Sequence, residues 1–164
     1  MTAQHSISIR PVTEGPDLET IRRLFLEYAA SLDFSLCFQS FEAELASLPG
    51  DYAHPDGALY LALVDDVPAG CVGLHKLAPE ICEMKRLYVR PEYRGSGLGR
   101  KLAISAILAA HVIGYNRMRL DTLESMVEAH ALYRSLGFFD IAPYRPNPLP
   151  EAVYMELILA DDQE

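Results

Sequence analysis

Three apolar segments in a row, 57–64 (GALYLALV), 69–77 (AGCVGLHKL) and 81–90 (ICEMKRLYVR), are separated by only a few turn residues. Links that short cannot carry a crossover, so each pair of segments must fold back as an antiparallel hairpin. The turns are placed at Asp65-Asp66-Val67-Pro68 and at Ala78-Pro79-Glu80. This meander fixes the middle of the chain, and the flanks must pack against it.

Upstream, Ile7 and Ile9 alternate with polar neighbours in a first strand, 6–12. After Pro16-Asp17, residues Leu18, Ile21, Leu24, Phe25, Tyr28 and Leu32 recur at helical steps. A short helix over Phe41–Leu48 follows the irregular segment Asp33–Gln39. Downstream of Pro91, a glycine-rich loop opens a helix over Leu98–Ile113. That helix is apolar on most faces and is expected to be covered by sheet and neighbours; Gly114 ends it. RMRLDTL (117–123) is the next strand. Ser125-Met126-Val127-Glu128 reads as a capping box before a helix that stops at Gly137. Phe138–Ala142 and Ala152–Leu159 close the chain as strands around the loop PYRPNPLP, expected to be rigid and exposed. The order βααβββαβαββ describes a single mixed α/β (α+β) domain spanning 1–164, with no internal linker.

With 164 residues and 50% hydrophobic content, the chain buries one core, and neither repeats nor disorder fit it. Its formal charge of -9 argues against nucleic acid or anionic membrane as the main partner. Six of the 14 basic residues nonetheless fall between 85 and 101, where only Glu92 opposes them. An anionic ligand would favour that window. Cys37, Cys71 and Cys82 have neither CxxC spacing nor an even count, so no disulfide framework or zinc site is expected. The histidines His75, His111 and His130 lack metal-ligand spacing and read as structural or surface residues, and no metal is expected. No segment has the make-up of a secretion signal or membrane span, and the expected location is cytoplasmic.

The most informative stretch is Arg94-Gly95-Ser96-Gly97-Leu98-Gly99-Arg100, between a strand and a helix. Glycines let the backbone approach a ligand closely, and the free amides of a helix N-terminus suit a pyrophosphate. Arg94 and Arg100 add positive charge. Neither the dinucleotide-binding GxGxxG pattern nor the P-loop can be read here.

Arg94-x-x-Gly97-x-Gly99 matches the Gln/Arg-x-x-Gly-x-Gly/Ala signature of the GNAT superfamily of acyl-CoA-dependent N-acetyltransferases. Leu132-Tyr133-Arg134-Ser135-Leu136-Gly137-Phe138 resembles that superfamily's late-helix Leu-Tyr-x-x-x-Gly-Phe pattern. The element order is similar along most of the chain. The resemblance implies a GNAT-like mixed, mostly antiparallel sheet of about seven strands flanked by four helices. It also implies acetyl-CoA as co-substrate: the backbone of Leu87, Tyr88 and Val89 would pair with the pantetheine arm, and Gly95, Ser96, Gly97, Leu98, Gly99, Arg94 and Arg100 would hold the pyrophosphate. The fourth and fifth strands would splay to admit the thioester, near Glu83 and Tyr133.

Acetyl transfer to an amine requires loss of a proton, because an ammonium has no lone pair. For a lysine-like pKa of ~10.4 this costs on the order of 4 to 5 kcal/mol at pH 7. By the resemblance Glu83 is the base, directly or through water, with burial raising its pKa; the competing reading pairs it with Lys85. Tyr133, by the same resemblance, is the acid that protonates the leaving thiolate, against packing alone. Cys82 would point to the other strand face from Glu83, so direct transfer in a ternary complex is expected over an acyl-enzyme.

The acceptor is expected to be a small-molecule amine, walled by Asp33, Phe34 and Phe38 on one side and the Tyr144–Asn147 loop on the other. The acidic composition favours a cationic amine, whereas Arg145 would anchor a carboxylate. The alternatives are a catalytically weak CoA-binding sensor and an acetyltransferase of protein amino termini. An open sheet edge at AVYMELIL would allow a homodimer, whereas an edge protected within the monomer would look the same in sequence.

Overall fold

The alternation at Ile7 and Ile9 builds strand β1 (Ile7–Pro11), and the helical spacing after Pro16 builds α1 (Pro16–Ser31). In this computed structural model the described residues are 5–32, 40–146 and 149–160. Helix α2 (Phe41–Ser47) and a single 3-10 turn at Gly50–Tyr52 lead into β2 (Ala58–Val64), β3 (Val67–Ala78) and β4 (Ile81–Val89). A second 3-10 turn at Pro91–Tyr93 precedes α3 (Leu98–Ile113). After it come β5 (Arg117–Leu123), α4 (Val127–Ser135), β6 (Phe139–Ile141) and β7 (Ala152–Ile158). The element order is that expected from the sequence.

The strands form one seven-stranded sheet in the order β1-β2-β3-β4-β5-β7-β6, antiparallel except between β4 and β5. Helix α3 lays Leu98, Leu102, Ala103, Ala106 and Ala110 on one face of the sheet, together with Tyr133 and Phe138. The other face is covered by Ile21, Leu24 and Phe25 of α1, with Phe41 and Tyr52. Burying three such α1 side chains contributes roughly 1.5–3 kcal/mol each, and tertiary packing of this kind supplies most of a helix's stability in a folded chain.

Several local expectations are corrected. The first hairpin turns on two residues only, Asp65 and Asp66, with φ of 51° and 66°. Val67 and Pro68 instead pair with Val64 and Leu63 as the start of β3. Two positive φ angles give the twist a tight hairpin needs, and aspartate tolerates them. Ser125 caps nothing: α4 begins at Val127 behind Met126, with no side-chain cap. Helix α3 is not covered all round, since Leu108 is 58% and Val112 87% exposed. Strand β7 is not an open edge, because it lies between β5 and β6. That removes the sheet-edge argument for a dimer.

The parallel pair is what positions the site. β4 and β5 pair only at Ile81–Arg117, Cys82–Met118 and Glu83–Arg119, and among the described residues no pairing continues beyond. A bulge sits in β4 where its register against β3 jumps from Lys85–Gly73 to Tyr88–Cys71. At that point Arg86 has φ 61°, and such an extra residue bends a strand away from its neighbour. Arg86 is buried and fixed by two bonds to Glu44 of α2, at 3.0 and 2.9 Å. The expected splay of the fourth and fifth strands is therefore present, and a side-chain pair between helix and sheet holds it.

Candidate active site

Beyond Glu83 the outer side of β4 is open, and there a groove of about 780 Å³ runs past Leu87, Tyr88 and Val89 to the starts of α3 and α4. Arg94, Gly95, Gly97, Leu98, Gly99 and Arg100 line it. Gly97 precedes α3 with φ 82°, and a Cβ there, or on Gly95, would meet nothing within 4 Å. The turn and loop hydrogen bonds of this stretch end at the Arg94 amide and resume at the Lys101 amide. Among the described residues, the amides of 95–100 thus have no turn or loop acceptor. Six unclaimed donors at a helix N-terminus fit a diphosphate.

The flanking side chains brace this loop more than they reach into it. Arg94 donates through Nε to the Val89 carbonyl at 2.8 Å and lies over the Tyr88 ring at 5.8 Å. Ser96 returns its hydroxyl to the Tyr93 carbonyl at 2.8 Å and does not line the groove. Arg100 crosses to the Ser135 hydroxyl at 2.8 Å, tying α3 to α4. Tyr88 turns its ring into the α1 layer, edge-on to Tyr28 at 6.1 Å, and contributes to the groove from β4.

A second, polar cavity of about 430 Å³ meets β4 at Glu83 and Lys85, between α2, His75 of β3 and Arg145. Glu83 is wholly buried. Its Oε1 lies 2.9 Å from His75 Nε2 and 4.0 Å from Lys85 Nζ. Its Oε2 accepts from the Tyr144 hydroxyl at 2.6 Å and pairs with Arg145 Nη2 at 2.5 Å. Burial alone would raise the Glu83 carboxyl, as expected. The His75 hydrogen bond, the Lys85 charge and the Arg145 contact outweigh it and hold the group down to about 2. The expected upward shift is thus reversed. The Lys85 contact is real, but it is the longest of the four.

Of this wall, the sequence points to Glu83 and the Tyr144–Asn147 loop but not to His75. His75 is a site residue: Nδ1 lies 2.9 Å from the Lys76 carbonyl, so neither ring nitrogen is open to substrate. Counting back from the Pro79-Glu80 turn would set Lys76 opposite Glu83. A one-residue register shift near Lys76–Ala78 brings His75 there instead. The loop before β7 is not simply exposed: Tyr144 lies between the guanidiniums of Arg119 and Arg145, at 5.2 and 5.0 Å from its ring centre. Arg145 points to Glu83 rather than to an open carboxylate site. Asp33, Phe34 and Phe38 lie outside the described residues.

Tyr133 is buried on α4, its ring edge-on to Phe138 at 5.7 Å. Burial pushes its phenol well up, so it stays a hydrogen-bond donor at any physiological pH. Cys82 belongs to the core on the far side of β4 from Glu83, and burial pushes its thiol up to about 12. A thiol so protonated is a poor nucleophile. No group of three His, Cys, Asp or Glu residues suited to a metal occurs among the described residues. No helix among them is long and apolar enough to cross a membrane.

Comparison with known proteins agrees with this arrangement. Residues 18–138 match the model of the Acetyltransferase (GNAT) family. An uncharacterized N-acetyltransferase of Schizosaccharomyces pombe is 41% identical over 159 residues, covering 96% of this chain and 98% of that protein. An acetyltransferase of Streptococcus agalactiae superposes with a TM-score of 0.76 at 22% identity, over 93% of this chain and 98% of the other. An acetyltransferase of Salmonella typhimurium solved with its cofactor acetyl-CoA gives 0.70 at 20% identity, over 96% and 95%. With the family model spanning most of the chain, a splayed β4–β5 pair and a glycine loop of unclaimed amides, the chain belongs to the GNAT family of acetyltransferases.

Proposed function

We propose that the chain transfers the acetyl group of acetyl-CoA to a primary amine of a small molecule, directly, with both substrates bound together. The observation that carries this reading is that one strand serves two sites. β4 lines the glycine-loop groove with Leu87–Val89 and the polar cavity with Glu83 and Lys85, and between them it parts from β5. Bound acetyl-CoA would supply a thioester whose carbonyl the amine attacks. The amides of residues 95–100 would hold its diphosphate, and the open edge of β4 its amide-bearing arm.

Within this reading Tyr133, next in sequence to the groove-lining Leu132 but not itself on the groove, gives its hydroxyl proton to the departing sulfur. Glu83 organises the acceptor wall: its two oxygens already face His75, Tyr144 and Arg145, and a carboxyl held near 2 has little affinity for a substrate proton. The modest volume of the cavity, about 430 Å³, and its polar lining favour a small polar acceptor over a protein amino terminus. Calorimetric titration with acetyl-CoA, followed by thiol detection over a panel of primary amines, tests the proposal. Binding with amine-dependent thiol release is the expected result. Binding without turnover would point to the sensor reading, and no binding would remove acetyl-CoA from the account.

A further inference from the structure

With three side chains already within 2.9 Å of the Glu83 carboxylate, a less engaged carboxylate is better placed to meet the acceptor's ammonium where β4 and β5 part. β5 alternates, with Met118, Leu120 and Thr122 turned to the α3 side and Arg117, Arg119 and Asp121 to the other. Glu83 is in register with Arg119, so Asp121, two residues on, is the first carboxylate of that face past the last paired position. Its side chain is 13% exposed. Its nearest cation is Arg145, whose Nη1 stands 4.0 Å from Oδ2 while Nη2 is committed to Glu83 at 2.5 Å.

The groups facing Asp121 come from every element around the opening. Its charge is felt by Lys85 of β4, Tyr28 of α1, Tyr133 of α4, and Tyr144 and Arg145 of the last loop. Asp121 lines neither cavity itself but lies against Arg145 of the acceptor wall, and among the described residues no protein group donates to its oxygens at hydrogen-bond distance. A half-enclosed carboxylate of this kind receives an ammonium well, because a charge-assisted bond there is little screened.

We propose that Asp121 receives the acceptor's ammonium and takes the first proton it sheds, while Glu83 holds the surrounding cations and phenol in place. The inference rests on the acetyltransferase reading. In the transfer, the amine lone pair forms the N–C bond to the thioester carbonyl carbon and the C–S bond breaks, its electron pair leaving on sulfur. The nitrogen loses two protons in all. One passes through an Asp121 carboxylate oxygen to solvent, and the other balances the sulfur by way of the Tyr133 hydroxyl.

The test uses two amines small enough to need no side-chain contacts: ethylamine, an ammonium at pH 8, and 2,2,2-trifluoroethylamine, a free base there. Asp121→Asn should lower thiol release from ethylamine by at least about a hundredfold and from trifluoroethylamine by less than about threefold. Asp121→Glu should recover part of the ethylamine rate. Acetyl-CoA binding by calorimetry should stay within about twofold of the parent, which certifies the fold; Asp121→Ser takes the place of Asn if that variant does not bind. Equal losses with both amines, or none with ethylamine, overturn the role of Asp121 alone. A parent protein that binds acetyl-CoA but releases no thiol with either amine overturns the acetyltransferase reading and this role with it.

Discussion

The glycine-loop groove and the acceptor wall meet on one strand, yet they are built from different materials. The floor of the groove is made of backbone: amides 95–100, the open edge of β4 and the start of α3 lie within one stretch of sequence, with α1 and the start of α4 at its sides. The wall is made of side chains brought from far apart, with His75, Glu83, Tyr144 and Arg145 spanning three elements and gathered around the buried Glu83 carboxylate. A backbone site depends on glycine geometry and tolerates change in its neighbours' side chains. A side-chain site depends on each partner, and losing one leaves a buried charge short of donors. The groove should therefore respond to bulk and negative charge, and the wall to the loss of a single partner.

The largest effect is expected at the loop. Gly99→Glu and Gly97→Glu each place a carboxylate where the diphosphate is proposed to sit, and acetyl-CoA affinity should fall by at least about a hundredfold, close to 3 kcal/mol. Gly99→Ala separates charge from bulk. Its Cβ would meet Leu132 and Val89 at 3.8 Å, ordinary contact distance, so the fold accepts it and binding should weaken by less than about tenfold. Titration calorimetry reads all three. Equal affinity in the glutamate variants and the parent would place the diphosphate elsewhere.

Next comes Tyr133→Phe, which keeps the ring against Phe138 and removes only the hydroxyl. Under the proposed reaction kcat should fall by about a hundredfold, with acetyl-CoA affinity within about twofold of the parent, because Tyr133 does not line the groove. Stopped-assay thiol release against calorimetry gives both numbers. An unchanged kcat would reduce Tyr133 to a packing residue.

The same division between backbone and side chains governs what could be read in advance. The hairpins, the glycine loop and the late helix are local patterns, and each was legible. The outward face of α3, with Leu108 and Val112, was not: an apolar count cannot say how many neighbours a helix will have. The capping signal at Ser125 and Glu128 was misread because Met126, not Ser125, occupies the residue before α4. Apart from Lys85, the partners of Glu83 were illegible for a sharper reason. A single bulge decides whether Lys76 or His75 stands opposite it, and a loop some 60 residues downstream supplies its other two donors. Nothing local to Glu83 reveals either. The burial of Glu83 was foreseen, but the sign of its shift was not, since that sign depends on the donors.

The smallest effect, and the one that most sharpens the contrast, belongs to Arg145→Gln. The parent holds Glu83 at about 2, below the ~4.3 of an unfolded glutamate. Its ionised form therefore adds stability that is fully present above the unfolded value and is lost as pH falls through the folded one. Removing Arg145 takes away one short partner and leaves His75 and Tyr144. At pH 7 the variant, losing one of several charge-assisted bonds to Glu83, should lose about 2 kcal/mol, a drop of about 4–8 °C in Tm. Because the folded carboxyl rises toward its unfolded value, the difference between variant and parent should shrink as pH is lowered from about 4.3 toward about 2. Denaturant melts at pH 7 and pH 3 measure this directly. A loss that stays the same at both pH values would mean that Arg145 stabilises the loop by packing and not through the charge of Glu83, and the wall would then resemble the groove more closely than its contacts indicate.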